Sequence, residues 1–273
     1  MVKSARVDRY LEVLGVEAGT PSPGLLTELV SAQLVAAPFE NLSKLCRYRT
    51  TGSTMIPDLS EYLDGIETWR LGGTCYTNNF HFSTLLDALG FSVSLCGADM
   101  NRPDVHMVSM VRIDGRELMV DVGYAAPFFT PLPRDLDDDY AIDFGSCRYV
   151  LHPQDRRGRS RLELIRNGVA VHGYLAKPEP RTLTHFDAII ADSFRPDQTF
   201  MNAVVIERFT TEGGSIRLHN LTLTRTPAVG PPTTAALTDR DELIGVVERL
   251  FGVPRDVTRT AVDGVDLTAD ISS

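Results

Sequence analysis

The chain has 273 residues, which is enough for two or three small domains rather than one compact core. Hydrophobic residues make up 43% and charged residues 23%, as in ordinary soluble globular enzymes, and the net charge of -9 argues against nucleic acid or an anionic membrane surface as the main partner. The four cysteines lack any C-x-x-C spacing, so neither a zinc site nor a redox motif is predicted. With no signal peptide and no apolar run of spanning length, we expect a reducing cytoplasm.

The first ninety residues carry a helical pattern. Amphipathic runs lie near 4–15 and 22–36, and a further helix is predicted from about residue 74. Directly before and within its start, residues 70–79 read Arg-Leu-Gly-Gly-Thr-Cys-Tyr-Thr-Asn-Asn. Gly90 supplies a stop. The apolar residues that follow at helical spacing are Phe82, Leu85, Leu86 and Leu89.

Cys75 falls in the first turn of this helix if Thr74 is its N-cap. The orphan backbone N–H groups and the positive end of the helix dipole favour a negative side chain there, so a thiol in this position loses its proton more easily. Gly72 and Gly73 let backbone or substrate come close to the sulfur. Cys75 is therefore the candidate nucleophile, and the competing interpretation is a buried structural cysteine on the apolar face of the helix.

From about 91 to 190 the pattern becomes β-rich, beginning with a strand at 91–95 and a hairpin around Asp114-Gly115. If these two residues form a type I′ turn, position 113 faces 116, position 108 faces 121 and position 106 faces 123. His106 and Asp121 are then diagonal neighbours on one face, within reach of a carboxylate–imidazole hydrogen bond. A slip of one residue would separate them.

Asp104 is the rival partner for His106, since it lies two residues away and could share its face. It follows Pro103 in a predicted loop, so Asp121 is preferred. His81 lies on another side of the nucleophile helix. The remaining histidines have no carboxylate fixed by local geometry, and they are His152, His172, His185 and His219.

Later in the chain, strands at 148–151 and 162–165 flank a turn at 155–158, and strand-like runs follow at 203–206 and 216–218. A last helix is predicted from about Asp239, a candidate cap, to Phe251.

Two charged clusters also stand out. An acidic cluster has no glycine at the place a Ca²⁺ loop requires, which favours a solvated loop, whereas a basic cluster at a hairpin tip could meet the phosphates of an acyl carrier or be simply solvated. The acidic cluster consists of Asp135, Asp137, Asp138 and Asp139, and the basic cluster consists of Arg156, Arg157, Arg159 and Arg161.

The order cysteine, histidine, aspartate resembles the arylamine N-acetyltransferase family. That family carries a Gly-Gly-x-Cys helix start, a histidine on one strand and an aspartate in a Val-Asp-Val-Gly run on the next. Here these read as residues 72–75, His106 and residues 120–123. Further elements that resemble the family occur in the same order along most of the chain, namely Tyr10-Leu11 with Leu14-Gly15, Pro38-Phe39-Glu40-Asn41-Leu42, Leu89-Gly90-Phe91, Pro131-Leu132-Pro133 and Leu250-Phe251-Gly252-Val253.

The resemblance implies an α+β fold with a cysteine-protease-like, or transglutaminase-like, catalytic core. Its parts would be an N-terminal helical bundle at 1–90 that carries the cysteine, a central antiparallel β-barrel at 91–190 that carries the histidine and aspartate, and a C-terminal α/β lid at 191–273. The three catalytic groups would meet at the junction of the first two parts.

The resemblance also implies an acyltransferase that acts on foreign amines. Cys75, His106 and Asp121 would move an acetyl group from acetyl-CoA to an arylamine or hydrazine by a ping-pong mechanism without a metal. Phe39, by resemblance, and Tyr76, by its place beside the cysteine, are candidate walls for an aromatic acceptor, although both residue types are often simply core. The oligomeric state is left open.

Three departures from the family pattern leave the substrate open. Leu71 stands where an arginine is usual, which leaves an ion pair between Arg70 and Glu40 in question; Thr77 replaces Glu or Gln, and Ala125 stands where Gly is frequent. These features are compatible with an amide synthase that uses a carrier-protein or polyketide thioester. The triad by itself also fits a thiol hydrolase, and an inactive CoA-binding module is a further reading of the same fold.

Overall fold

The computed structural model describes residues 5–268. The predicted start of the first helix, at residue 4, lies outside the described residues, and so do the outermost ends of the first and last expected domains. The expected helices at 4–15, 22–36 and from 74 are found within one or two residues. The last predicted helix is an α-helix that continues into one turn of π-helix at Val247–Phe251. The α-helices are Ala5–Leu14 (α1), Pro23–Ala36 (α2), Leu42–Thr51 (α3), Leu59–Trp69 (α4), Cys75–Ala88 (α5), Asp187–Asp192 (α6), Thr199–Asn202 (α7), Arg240–Val246 (α8) and Arg255–Val262 (α9).

The strands form two antiparallel sheets. They are Phe39–Glu40 (β1), Ser92–Asp99 (β2), His106–Ile113 (β3), Arg116–Val120 (β4), Leu132–Pro133 (β5), Tyr140–Phe144 (β6), Cys147–Leu151 (β7), Ser160–Arg166 (β8), Val169–Pro180 (β9), Val205–Phe209 (β10), Ser215–His219 (β11), Thr222–Thr226 (β12) and Thr233–Ala236 (β13). An eight-stranded sheet in the order β5-β4-β3-β2-β9-β8-β7-β6 curls into a nearly closed barrel, and a five-stranded sheet has the order β1-β10-β11-β12-β13. The expected α+β class with helical start and barrel is therefore confirmed.

The hairpin register is the predicted one. Asp114 and Gly115 both have positive φ, at 49° and 76°, as a type I′ turn requires. Ile113 pairs with Arg116, and the pairing continues outward until Ser109 lies opposite Val120. The strand that begins at His106 and the chain just beyond Val120 therefore end at the same edge of the barrel.

Separate apolar clusters fill these layers. One packs α1, α2, α4 and α5 against the near side of the barrel, for example through Tyr62, Phe82 and Val120. Another fills the barrel interior, and a third lies between the five-stranded sheet and the C-terminal helices α8 and α9. Within residues 5–268, no helix is long and apolar enough to cross a lipid bilayer.

Candidate active site

The candidate nucleophile lies at the very start of α5. Thr74 occupies the N-cap with extended backbone angles, and its side chain makes no capping hydrogen bond. The backbone N–H groups of the first turn therefore receive no hydrogen-bond acceptor from the helix or from the Thr74 side chain. Cys75 is nearly buried, with 7% of its surface exposed.

The two glycines before Cys75 serve backbone packing. A Cβ at Gly72 would lie 2.1 Å from the Pro38 carbonyl oxygen, and one at Gly73 would lie 2.6 Å from the Thr77 Cβ. Gly73 also forms a parallel bridge with Phe39, and its carbonyl accepts the Glu40 N–H at 3.1 Å. Their role is therefore to let the turn before α5 press against the start of β1.

A buried chain of hydrogen bonds ties α5 to the rest of the helical bundle. The Tyr10 hydroxyl donates to Gln33 Oε1 at 2.9 Å, and Gln33 Nε2 donates to the Tyr62 hydroxyl at 2.9 Å. That hydroxyl donates to Asn78 Oδ1 at 3.0 Å, and Asn78 Nδ2 donates to the Gly73 carbonyl at 3.1 Å. Since every link is buried, the network fixes where α5 starts and hence where the Cys75 side chain lies.

The structure brings His106 and Asp121 together. His106 Nε2 donates to Asp121 Oδ2 at 2.8 Å, and both side chains are almost completely buried. Because Nε2 is committed to the carboxylate, Nδ1 is the ring nitrogen left for Cys75. Cys75 is also among the groups that raise the pKa of His106.

Asn79, one helical turn after Cys75, holds the aspartate in place. Its Nδ2 donates to Asp121 Oδ1 at 3.0 Å and to the Met107 carbonyl at 2.7 Å, while its Oδ1 accepts the Val122 N–H at 2.9 Å. The Gly123 N–H also donates to Asp121 Oδ1, at 3.0 Å. One amide side chain therefore joins the nucleophile helix to both strand ends, a role that the sequence pattern did not reveal.

Gly123 explains the end of the Val-Asp-Val-Gly run. A Cβ at this position would lie 2.7 Å from the Cys75 Cα and 2.6 Å from Asn79 Nδ2. Any larger residue would push the aspartate-bearing segment away from α5.

The ionisation of the pair follows from its burial and its contacts. Burial alone would lower the pKa of His106, but the charge and hydrogen bond of Asp121, followed by contact with Cys75, outweigh it and raise this pKa to about 10. Burial alone would raise the pKa of Asp121. The charge of His106 and the hydrogen bonds from His106, Asn79 and Gly123 lower it instead. At neutral pH the His106 imidazole is therefore protonated and the Asp121 carboxylate beside it is ionised.

The rival carboxylate Asp104 faces elsewhere. It lies 2.7 Å from Lys177 Nζ and 2.9 Å from His185 Nε2, at a residue with a left-handed φ of 55°. His81 is buried, stacks on Tyr62, and has its pKa lowered to about 4 by burial. Both residues thus have their own partners away from His106.

Two further histidines acquire carboxylate partners that local sequence did not indicate. His152 lies 2.8 Å from Asp139, and His185 pairs with Asp104. His185 and Asp104 are 81 residues apart, whereas Asp139 and His152 directly flank the paired strands of the β6–β7 hairpin. His172 Nδ1 lies 2.6 Å from the Tyr124 hydroxyl, and the Tyr124 ring stands edge-on to His106 at 5.6 Å.

The candidate acceptor residues Phe39 and Tyr76 lie near Cys75 in the fold. Phe39 is bridged to Gly73 and packs edge-on against Phe200, with ring centroids 5.6 Å apart. Tyr76 is buried, and its hydroxyl donates to the Asp104 carbonyl at 2.9 Å. The Tyr76 ring thus keeps an apolar face toward the cluster that contains Cys75.

A covering segment, residues 183–194, packs over the cysteine. Its Phe186, Ile190 and Phe194 form one apolar cluster with Cys75 and Tyr76. Polar contacts tie the segment to the frame: His185 to Asp104, Asp192 to Arg102 at 2.6 Å, and Ser193 to Lys44. A substrate that approaches Cys75 from this side therefore meets an apolar wall.

Lys44 on α3 is a charged group that the sequence did not single out. Its Nζ donates to the Ser193 carbonyl at 2.8 Å and to Ser193 Oγ at 2.7 Å, and it lies 4.2 Å from the centre of the Phe194 ring. Burial lowers the pKa of this ammonium to about 8, and Cys75 acts in the opposite direction. A cation is thus held beside the apolar cluster that contains Cys75.

The departures from the family pattern have structural explanations. Leu71 is buried in the C-terminal apolar cluster, and Glu40 accepts hydrogen bonds from the N–H groups of Gly72 and Ser43 at 3.1 and 2.8 Å. Within residues 5–268, Arg70 makes no ion pair with Glu40. Thr77 packs against Gly73. Ala125 has a φ of 58°, a left-handed conformation that glycine adopts without strain.

The two charged clusters are engaged at the surface. Asp135 pairs with Arg116 and Asp139 with His152, while Arg159 pairs with Asp155 across its turn. In the part of the chain that the structure describes, no group of three or more potential ligands could hold a metal ion. A groove of about 880 Å³ lies between α1, α2 and the turn that follows β10, and the side chains of Cys75, His106 and Asp121 do not line it.

Comparison with known proteins identifies relatives along most of the chain. Residues 24–260 match a family model described as N-acetyltransferase. Proansamycin X synthase of Amycolatopsis mediterranei (strain S699) is 25% identical over 244 residues, which cover 79% of this chain and 91% of that protein.

Solved structures of arylamine N-acetyltransferases have the same fold. The enzyme from Nocardia farcinica is 27% identical with a TM-score of 0.74, and the match covers 94% of each chain. The Mycobacterium marinum enzyme, solved in complex with CoA, is 21% identical with a TM-score of 0.76, over 95% of this chain and 99% of that one. At that lower identity the likeness is one of fold.

Proposed function

The chain belongs to the arylamine N-acetyltransferase family and is an enzyme, and on this premise we propose that it transfers an acetyl group from acetyl-CoA to an arylamine or hydrazine nitrogen. The observation that carries the proposal is the buried His106–Asp121 hydrogen bond of 2.8 Å, with the other ring nitrogen left for Cys75. The CoA complex of the Mycobacterium marinum relative supports CoA as the carrier of the acyl group. The free state of Cys46, Cys75, Cys96 and Cys147 fits a reducing cytoplasm as the site of action.

At the start of the first half-reaction, the Cys75 proton already lies on the His106 imidazole, whose pKa is raised to about 10, and the Cys75 thiolate attacks the thioester carbonyl carbon. A new carbon–sulfur bond forms to Cys75, the bond to the CoA sulfur breaks, and the imidazolium returns its proton to the departing thiolate. Asp121 keeps the imidazole in the required tautomer and stabilises the imidazolium. The oxyanion is received by the N–H groups of Cys75 and Tyr76 in the first turn of α5.

In the second half-reaction, the amine nitrogen attacks the acyl carbon of acyl-Cys75. His106 removes a proton from the nitrogen as the carbon–nitrogen bond forms, and Cys75 leaves as the thiolate. Phe39 and Tyr76 serve as aromatic walls beside the acyl group, a placement that the Phe39–Gly73 bridge and the Tyr76 position in the cluster around Cys75 support. No metal takes part in this scheme.

The test is the intact mass of the protein after incubation with acetyl-CoA and no acceptor. We expect one added acetyl group on the wild type, which an arylamine or hydrazine discharges, and none on Cys75→Ala. An acetyl group on Cys75→Ala, or turnover retained by that variant, would contradict the assignment of the nucleophile.

A second candidate is an amide synthase that takes its acyl group from a carrier-protein or polyketide thioester. The specific observation in its favour is the 25% identity to proansamycin X synthase over most of both chains. Fast alkylation of Cys75 by iodoacetamide without any acetylation by acetyl-CoA would favour this candidate, because it would show a working nucleophile that needs another donor.

A further inference from the structure

Lys44 is a partly buried cation for which residues 5–268 provide no ion-paired carboxylate. Its ammonium is bonded to the carbonyl and hydroxyl oxygens of Ser193 and lies over the Phe194 ring. Among residues 5–268, no carboxylate forms an ion pair with it. A charge that is partly withdrawn from water is costly unless another group stabilises it.

The lack of a partner is a local property. The chain carries 36 acidic against 27 basic residues, so carboxylates are abundant. Lys177 shows the ordinary arrangement, since its Nζ lies 2.6 Å from Asp99 and 2.7 Å from Asp104. Lys44 is held by neutral groups alone.

The geometry leaves this charge available to a ligand. An ammonium carries three N–H donors, and Ser193 accepts two of them. The Ser193 hydroxyl is itself fixed, because it donates to the Ile190 carbonyl at 2.6 Å. One N–H of the ammonium is thus left for an anion, on a side chain whose position two hydrogen bonds and the Phe194 ring already define.

The position of Lys44 relates it to the nucleophile. Phe194, beneath the ammonium, belongs to the same apolar cluster as Cys75, and Cys75 is the charge partner that acts on Lys44. In a CoA thioester the phosphates are separated from the thioester by the whole pantetheine arm. A group at Lys44 therefore belongs to the reacting end of a substrate, which makes a carboxylate the fitting anion.

We propose that Lys44 is a specificity-determining residue that binds a carboxylate carried by the substrate at Cys75, either on the amine acceptor or on the acyl group. This inference rests on the proposed acyl transfer. It assigns one residue to the choice among substrates, whereas His106 and Asp121 act on every substrate alike.

The test compares matched substrates in wild type and Lys44→Met. On the acceptor side, kcat/KM for 4-aminobenzoate is divided by kcat/KM for 4-aminobenzamide, with acetyl-CoA as donor. On the donor side, the rate of acyl-enzyme formation with succinyl-CoA is divided by the rate with acetyl-CoA, without acceptor. We expect Lys44→Met to lower one of these ratios about ten- to hundredfold, as for the loss of a hydrogen bond to a charged group.

The ratio that falls identifies the molecule that carries the carboxylate. Lys44→Gln provides a second neutral variant, and Lys177→Met is the matched control because that lysine is already paired. Unchanged ratios on both sides in the two Lys44 variants, or an equal change in Lys177→Met, would overturn the proposal. A uniform fall of all rates with constant ratios would also overturn it, since Lys44 would then act through Cys75 or the fold.

A binding measurement separates this proposal from the proposed function. Calorimetric titration of 4-aminobenzoate, 4-aminobenzamide and succinyl-CoA into Cys75→Ala, with and without Lys44→Met, needs no turnover. If the wild type forms no acyl-enzyme, acyl transfer fails while the titration still reports on Lys44. If the acyl-enzyme forms but Lys44→Met leaves every binding constant unchanged, the role of Lys44 fails alone.

Discussion

The two sides of Cys75 are built in opposite ways. On the barrel side, the carboxylate of Asp121 is bonded to His106, Asn79 and the Gly123 N–H, all of them buried. On the other side, the covering segment presents apolar side chains, and Lys44 of α3 is hydrogen-bonded to the Ser193 oxygens at the end of that segment. The first arrangement fixes reacting groups, and the second is open to a charged ligand.

On our two proposals, acyl transfer and the choice among substrates are carried by different parts of the chain. The candidate catalytic side chains lie on α5 and at the ends of neighbouring barrel strands, within a buried hydrogen-bond network. The covering segment connects the barrel to the five-stranded sheet and is tied down through side-chain contacts such as Arg102–Asp192. Relatives that share the barrel side can therefore differ in substrate through the covering side.

The largest effect should come from breaking the barrel side at Asp121. Asp121→Asn keeps the shape of the side chain but upsets the tautomer of His106, so we expect the acylation rate to fall by about 10³–10⁴-fold. Single-turnover kinetics with acetyl-CoA measure this rate. Asp104→Asn is the matched control, since the Asp104 carboxylate faces Lys177 and His185. This substitution should lower the acylation rate by less than about tenfold. The reverse order of effects would mean that Asp104 orients the imidazole.

A smaller loss is expected at Asn79, which positions Asp121 without touching substrate. Asn79→Ala should lower kcat about ten- to hundredfold, on the scale seen when a supporting hydrogen bond to a functional ligand is removed, with less change in KM. Asn79→Asp keeps the shape but places a second carboxylate beside Asp121, and it should raise the pH at which activity appears. If Asn79→Ala changed KM alone, the residue would belong to substrate binding instead.

The His106–Asp121 pair should also make the free energy of unfolding depend on pH. The folded pKa of His106, about 10, lies above the ordinary value near 6.5, so the folded protein holds this proton more tightly. Its stabilisation is complete below about 6.5 and is lost as pH rises through about 10. Urea unfolding at pH 6, 8 and 10 should show a steeper decline for wild type than for Asp121→Asn. Parallel declines would mean that the pair contributes no such linkage.

The smallest effect is expected at Ala125, whose backbone is strained, and it concerns the free energy of unfolding. Ala125→Gly removes a left-handed alanine and should raise the free energy of unfolding by about 1 kcal/mol, with activity retained. Ala126→Gly is the control: Ala126 is buried and lacks a positive φ, so the same change there should destabilise the protein. Chemical denaturation of the two variants distinguishes these opposite signs.

Local chemistry made several features predictable. The Asp114-Gly115 dipeptide specifies a type I′ turn, and the turn sets the register that places His106 near Asp121. Helical spacing after Thr74 indicated where α5 begins. The paired glycines were noticed as well, but they allow close packing against Pro38 rather than open access to the sulfur.

Periodicity and turn chemistry act between near neighbours, so the sequence predicted the helix that carries Cys75 and the hairpin that carries His106. The fold class followed from the resemblance to the family. Only the tertiary structure decided that Asn79 clamps Asp121, 42 residues away, and that Lys44 meets Ser193, 149 residues away. A residue pattern reports which face of an element is apolar, but it does not report which distant polar group lies opposite. The packing of the elements therefore decides whether a charge such as that of Lys44 meets a carboxylate or neutral groups.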